Sequence, residues 1–349
     1  MSFLDEKMAE VDERFQIFSW NVNGVSQFLD FDTPKITSYF TSPSSSSVLT
    51  ANDTSGGHNP LRKFLERHSW PEMLCLQEVK ISPKDLATKR ALEKAANDPG
   101  KRDGGPAYTA HFSLPTDRYN ATGFGRKVHG VCTLIKTSLL PSSLIKEVNW
   151  DLEGRVLITE FSKWKLAVVN GYWVNGTSNP YHSSETGVVN GTRHDRKRHF
   201  HSLMLAEAKS YETKGWHVVL IGDMNIAPSL IDGHPNLRGG FEHVRNRKDF
   251  NEKFLSRNKD GMNGIDTFRY FHGGLRKYTY HGESAERWGE NCDRVDLGIV
   301  SRSLVEKVRG ALVGAEIWDS VEERGRSDHV PLSIILDVGR LEGADETYS

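Results

Sequence analysis

Six short apolar stretches punctuate the chain, and each meets a cluster of polar side chains at one end. Phe15-Gln16-Ile17-Phe18 runs into Ser19-Trp20-Asn21-Val22-Asn23-Gly24, and Met73-Leu74-Cys75-Leu76 into Gln77-Glu78-Val79-Lys80. Leu166-Ala167-Val168-Val169 leads to Asn170-Gly171-Tyr172-Trp173-Val174-Asn175, and Val218-Val219-Leu220-Ile221 to Gly222-Asp223-Met224-Asn225. Asp296 heads the β-branched run up to Ser301, and Ser327-Asp328-His329 precedes a last alternating run from Val330. Runs this short, with two-residue alternation and Gly or Asn at their ends, predict strands. Helices are predicted over 61–68, from near Asp85, and over 196–214. On a two-residue period Asn21 and Asn23 share one face, and so do Asp223 and Asn225.

The polar ends carry candidate chemistry. A carboxylate at the end of a buried strand is costly unless a cation or donors compensate it, which makes Glu78 a candidate metal ligand. Asp328 beside His329 pairs a charge with the one side chain that titrates near neutral pH. Asp223 and Asn225, after four consecutive apolar residues, can face one phosphate. Taken singly, Asn21, Asn23 and Asn175 read as turn residues bonding their own backbone, Glu78 as a solvated loop carboxylate, and Lys80 as a surface lysine. Six such clusters, all at strand ends and all suited to metal and phosphate, are hard to collect by turn propensity.

In this order the motifs Ser19-Trp20-Asn21-Val22-Asn23-Gly24, Leu76-Gln77-Glu78, Tyr172 with Asn175, Gly222-Asp223-Met224-Asn225, Arg294-Val295-Asp296 and Ser327-Asp328-His329 resemble those of the endonuclease/exonuclease/phosphatase superfamily, in its exonuclease III and apurinic/apyrimidinic endonuclease branch. The likeness runs from about Phe15 to Leu336. It implies an α/β fold, a four-layer sandwich of two packed mixed β-sheets flanked by helices, and Mg²⁺-dependent phosphodiester hydrolysis on DNA, with Mn²⁺ as a stand-in. It also implies the roles. Glu78 holds the cation, with Asn21, Asn23 and Asp328 around it directly or through water; Asp223 orients or deprotonates water; Asn225, Asn175 and Tyr172 bind the scissile phosphate; and His329, steadied by Asp296, meets the phosphate oxygens. Apart from the resemblance, Lys80, two residues after Glu78, and Arg196, in a basic run, are read as further candidate phosphate contacts. Two departures from the resembled pattern stand out: Asn23 where many members carry Asp, and Asp293 where abasic-site enzymes carry a pocket-lining Trp, with Tyr280 as the other aromatic wall. Alternatives within the hydrolases are tyrosyl-DNA adducts, RNA or inositol phosphates as substrates. A different class is a nucleic-acid-binding module that has lost the chemistry.

Composition narrows this picture. The 349 residues, 37% hydrophobic, support a sizeable core, and the motif span favours one domain over 15–338, after an extension over 1–14 and before a frayed tail over 339–349. A net charge of −1 confines any nucleic-acid surface to a local patch. The candidate is Arg193-His194-Asp195-Arg196-Lys197-Arg198-His199, whose bland reading is a solvated helix face. Segments 41–60 and 175–191 read as mobile surface insertions, the second overhanging the active-site rim. Three scattered cysteines suit a reducing compartment, and no apolar leader or 18-residue apolar run is visible. The expected setting is nucleus or cytoplasm, as a monomer without membrane contact.

Overall fold

A computed structural model of the chain describes residues 13–29, 59–98, 103–282 and 287–342. The expected loop over 41–60 lies almost wholly outside these residues, as do the extension up to residue 12 and the tail beyond 342.

Two six-stranded sheets form the centre. The first has the order Leu312–Ile317, Leu332–Asp337, Arg14–Asn21, Met73–Gln77, Val131–Lys136, Tyr108–Ser113, and the second Ile265–Asp266, Asp296–Val300, His217–Asp223, Leu166–Tyr172, Val156–Phe161, Ser143–Glu147. Both are mixed: Arg14–Asn21 runs parallel to Met73–Gln77, and His217–Asp223 parallel to Leu166–Tyr172, among antiparallel neighbours. Alternation along each central strand decides what it faces. Phe15, Ile17, Met73, Cys75, Leu166, Val168, Val219 and Ile221 share one apolar cluster between the sheets. Phe18, Trp20, Leu74 and Leu76 instead pack with Leu61, Phe64 and Leu65 of the helix Pro60–Arg67 and with Leu92 of the helix Leu86–Asn97. On the other sheet Ala167, Val169, Val218 and Leu220 meet Phe200 and Met204 of the helix Arg193–Glu212 and Phe250 and Phe254 of the helix Phe241–Phe254. The result is the expected sandwich, helices outside and sheets inside.

The register follows from this burial. Each fully buried large aliphatic contributes about 1.5–3 kcal/mol by leaving water, so a one-residue slip, which would swap every side chain to the opposite face, is strongly disfavoured. The same periodicity carries Asn21, Gln77, Tyr172 and Asp223, the last residues of four central strands, onto the inter-sheet face. The seam between the sheets is therefore apolar along most of its length and polar at the carboxyl ends of its parallel strand pairs. Asp296 joins that end by pairing with Asp223 across the ladder.

Local signals explain the helix boundaries. Asn59 and Asp85 cap their helices through side-chain oxygens. The long helix begins at Arg193, three residues before the expected start, because Thr192 and Asp195 form a reciprocal capping box. Two further elements fall in segments read from sequence as insertion and tail. The insertion over 175–191 carries a hairpin, Pro180–His182 paired with Val189–Thr192. The tail expected to fray from residue 339 begins with a helical turn, Gly339–Glu342, anchored by buried Leu341 and by the Trp164 indole N–H donating to Glu342 at 3.0 Å.

Candidate active site

Four strand ends and the loop before the last strand converge on one pocket of ≈220 Å³. Glu78, Tyr172, Asn175, Asp223, Asn225, Asp328 and His329 line it, seven of the twelve residues given a catalytic, phosphate or metal role by sequence, together with Tyr280 and Asp293. Asn21 and Asp296 lie directly behind it, 0% and 1% exposed. The Asn21 amide donates to Glu78 Oε1 at 3.1 Å and to Asp223 Oδ2 at 3.0 Å, bridging two carboxylates from different sheets.

The backbone leaves the strands abruptly here. Asn23, Glu78, Lys80 and Asn225 all have φ between 50° and 52°, a left-handed conformation that is rare for residues other than glycine. Such strain persists only where the surroundings fix it. Val79 and Lys80 donate their N–H groups to the carbonyls of Gly130 and His129, which holds the turn at Glu78. Gly222 is required for another reason: a Cβ there would lie 2.0 Å from the Gly171 carbonyl oxygen, so only glycine lets the two strands close up just before Tyr172 and Asp223.

Electrostatics divide the pocket into roles. Burial would raise the Glu78 carboxyl, but the Lys80 charge at 3.0 Å and hydrogen bonds from Tyr172 and Asn21 hold it at about 2. Asp223 is pushed well above the usual carboxylate range by burial and by neighbouring Asp296, with His329 opposing. Burial alone would depress His329; its 2.7 Å contact with Asp296 and the charge of Asp223 raise it instead, which favours the imidazolium. The loop carrying His329 is tied down at several points. The Trp20 indole donates to the His329 carbonyl, the Ser327 hydroxyl donates to the Asn21 carbonyl at 2.6 Å, and the Val330 N–H donates to the Thr279 carbonyl at 2.8 Å. Asp223, Asp296 and His329 place one ligand atom each within 4.8 Å of one another. Asp296 faces His329 rather than the pocket, through the 2.7 Å contact with its Nδ1.

Five placements differ from expectation. Asn23 and Asn225 do not follow the strand period, since both lie beyond the strand in left-handed backbone. Asn23 is exposed and accepts from the Lys80 ammonium, which in turn pairs with Glu78. Asn225 reaches Asp223 at 3.2 Å but spends its NH₂ on Asp223 and on the Trp173 carbonyl, so it positions Asp223 rather than donating to a phosphate. Asn21 likewise turns its NH₂, not its oxygen, to the carboxylates, its oxygen accepting from the Asn23 N–H. Lys80 is committed to Glu78 and Asn23, and the Arg196 guanidinium, 4% exposed, is committed to Asp151 and Glu153. Arg196 is thus turned away from solvent, whereas the Lys80 side chain stays 36% exposed beside Glu78. The whole basic run is internal or paired: Lys197 is buried, donating to the carbonyls of Val174, Met224 and Asn225, and Arg198 bridges Asp195 and Glu242.

Other site residues carry no strand-end signal. Glu153 receives Arg155, Arg193 and Arg196 in one buried cluster, and Arg155 lies 4.9 Å over the Tyr172 ring while donating to its carbonyl. The signal for these was the alternating charge of Asp151, Glu153 and Arg155 at the beginning of a strand rather than at its end. Gln77, Ser19 and Asn170 form a buried amide and hydroxyl network between the sheets beneath Asn21. Arg238, His243 and Arg247 line the far wall of the pocket beside Asp293 and Tyr280.

The comparisons with known proteins extend over nearly the whole chain. The model of the Endonuclease/Exonuclease/phosphatase family matches residues 18–329. The chain belongs to that family. It is a hydrolase of the nuclease type, on the exonuclease III and apurinic/apyrimidinic endonuclease branch. A DNA-(apurinic or apyrimidinic site) endonuclease of Dictyostelium discoideum is 24% identical over 346 residues, 96% of this chain and 74% of that protein. The mouse DNA-(apurinic or apyrimidinic site) endonuclease 2 is 23% identical, and the match covers 93% of this chain and 60% of that longer protein. Among solved structures, the catalytic domain of Xenopus laevis APE2 superposes with a TM-score of 0.59 at 20% identity, covering 93% of this chain and 92% of that one. The AP endonuclease LMAP of Leishmania major gives 0.60 at 20% identity, covering 93% and 88%. No described helix is long and apolar enough to cross a membrane.

Proposed function

We propose that the chain is a divalent-cation-dependent DNA phosphodiesterase of the exonuclease III type, cleaving at 3′-ends and other exposed phosphodiesters in preference to abasic sites. The observation that carries this reading is the meeting, in one pocket, of an ionised Glu78, Asp328, a buried Asp223 of raised pKa and a His329 held by Asp296. Glu78 and Asp328 are hard anionic oxygens of the kind Mg²⁺ takes, and they fit the role of holding it; Mn²⁺ asks for the same donors. A cation held there would polarise a phosphoryl oxygen.

The remaining steps belong to the chain. Asp223, fixed by the Asn21 amide and by the Asn225 N–H at 2.8 Å, accepts the proton of the attacking water, and its raised basicity suits that task near neutral pH. The His329 imidazolium donates to a phosphoryl oxygen as charge grows there. Asn175, exposed at the rim, orients the phosphate, while the Tyr172 phenol, hydrogen-bonded to Glu78, holds that carboxylate beside it. The preference against abasic sites rests on the far wall, where Asp293, 3.8 Å from Arg238, stands in for an apolar ring that would pack on an extruded sugar.

The test is strand release from labelled DNA, RNA and inositol phosphates with Mg²⁺ or EDTA. Release from DNA alone and only with Mg²⁺ is the expected result. Release that persists in EDTA, or is faster from inositol phosphates, would overturn the proposal.

A further inference from the structure

The turn that carries Glu78 hangs on a second left-handed stretch of backbone, and one ring ties that stretch down. The Val79 N–H donates to the Gly130 carbonyl at 3.1 Å and the Lys80 N–H to the His129 carbonyl at 3.0 Å. His129 has a φ of 54°, as left-handed as Glu78 and Lys80 on the other side of the contact. A residue other than glycine stays in that region only where its surroundings hold it, so the anchoring of the His129 side chain decides whether the Glu78 turn is held as well.

The anchor is Arg155. Its Nη2 lies 3.1 Å from His129 Nε2, and because a guanidinium can only donate, Nε2 accepts and the ring carries its proton on Nδ1. Glu153 Oε2, 3.7 Å from the same nitrogen, is beyond hydrogen-bond reach of it and takes Arg155 instead, at 3.0 and 3.1 Å. Arg155 also donates to the Tyr172 carbonyl at 3.2 Å and lies 4.9 Å over the Tyr172 ring, whose phenol is hydrogen-bonded to Glu78. The contacts close a circuit from Arg155 through His129, the turn, the Glu78 carboxylate and Tyr172 back to Arg155, which is 2% exposed. We propose that His129 is a positioning residue, an acceptor for Arg155 that sets where the Glu78 carboxylate stands and thereby its affinity for a divalent cation. The inference rests on the cation role proposed for Glu78 and adds to it a residue that does not line the pocket.

The test reads the cation directly. Mn²⁺ is titrated by calorimetry into the DNA-free protein, for the parent, Glu78→Gln, His129→Asn and His129→Gln. The two His129 variants differ by one methylene: Asn is at home in left-handed backbone but ends short of Arg155, whereas the Gln oxygen extends to where Nε2 stands. Losing a group that orients a metal ligand weakens binding, so His129→Asn is expected to lower Mn²⁺ affinity on the order of tenfold and His129→Gln by less than about threefold. The Mg²⁺ concentration for half-maximal DNA cleavage should rise by the same factor in His129→Asn, with the rate at saturating Mg²⁺ and the KM for DNA near those of the parent. A role in folding alone would lower the urea midpoint and leave the cation affinity in place. Parent-like Mn²⁺ affinity in His129→Asn beside a loss in Glu78→Gln overturns the positioning role alone, and so does equal weakening by Asn and Gln. A parent that binds no Mn²⁺, or a Glu78→Gln variant that binds it as tightly as the parent, overturns the cation role of Glu78 and the positioning role with it.

Discussion

Glu78 keeps its charge in a half-buried position only because Lys80, Tyr172 and Asn21 all favour the ionised form. Removing that charge leaves Asp328 as the one carboxylate of the proposed cation pair. Glu78→Gln is therefore expected to abolish Mg²⁺-dependent hydrolysis with the fold intact by circular dichroism; unchanged turnover at limiting Mg²⁺ sinks the assignment. Asp223 and His329 act on protons rather than on the cation. Asp223→Asn and His329→Ala are each expected to slow the chemical step by roughly 10² to 10⁴, about 3 to 5 kcal/mol of barrier, with little change in DNA affinity. A single-turnover rate close to that of the parent for either variant would remove it from the mechanism. Asp293 bears on specificity. Burial raises its carboxyl while Arg238 and Arg247 oppose, so the far wall is polar where an apolar ring would pack on a sugar. Asp293→Trp is expected to raise incision of an abasic duplex by the worth of one pocket wall, on the order of 1 to 3 kcal/mol, without a matching gain on a recessed 3′-end. A parent that already prefers the abasic duplex would refute this placement of Asp293.

At the level of elements, the helix Arg193–Glu212 shows how a charge run misleads. In sequence, Arg196 is indistinguishable from a phosphate contact. In the fold it sits 4% exposed against Asp151 and Glu153, because Phe200, Met204, Ala208 and Tyr211 pack into the core and the same helix face carries Arg196 and Lys197 inward. Losing one member of a buried ion cluster leaves the others uncompensated, at a cost of roughly 3 to 5 kcal/mol. Arg196→Ala is accordingly expected to lower the melting temperature by many degrees and to leave the salt dependence of DNA binding as it was; a flattened salt slope at unchanged stability would restore the phosphate role. The strands were far more legible than this helix. Their period of two, written in Phe15, Ile17, Val168, Val219 and Ile221, specifies both the buried face and the polar end of the seam, and hence most of the pocket. Asn23 and Asn225 escaped because left-handed backbone breaks that period just beyond the strand. The helix Phe241–Phe254 escaped because its inward Asn246, Phe250 and Phe254 are scattered among charges, and with it went Arg247 and His243 on the far wall.

For the molecule as a whole, the two sheets and their helices leave some titratable groups no access to water, and these tie folding to pH. His201, on the inner face of the Arg193–Glu212 helix, is 0% exposed among the rings of Trp173, Phe250 and Phe254. Its Nδ1 contacts Asp249 at 2.7 Å, and its Nε2 is buried without a partner, which fits a neutral ring donating one N–H. Burial lowers His201 from 6.5 to about 4, against the pull of Asp249. Between those two values the unfolded chain carries the proton and the folded one does not. Stability from this group is therefore complete above about pH 6.5 and lost as pH falls toward 4, by up to about 3 kcal/mol. His129, held neutral at about 3 by burial and by Arg155, extends the same slope to lower pH. His201→Gln, which cannot titrate, is expected to lose stability at pH 7.5 from poorer packing yet to fall less steeply from pH 6.5 to 4.5 than the parent. Urea midpoints for both proteins across that range decide the matter, and parallel slopes would mean that His201 is charged inside the fold and that its contact with Asp249 is a true ion pair.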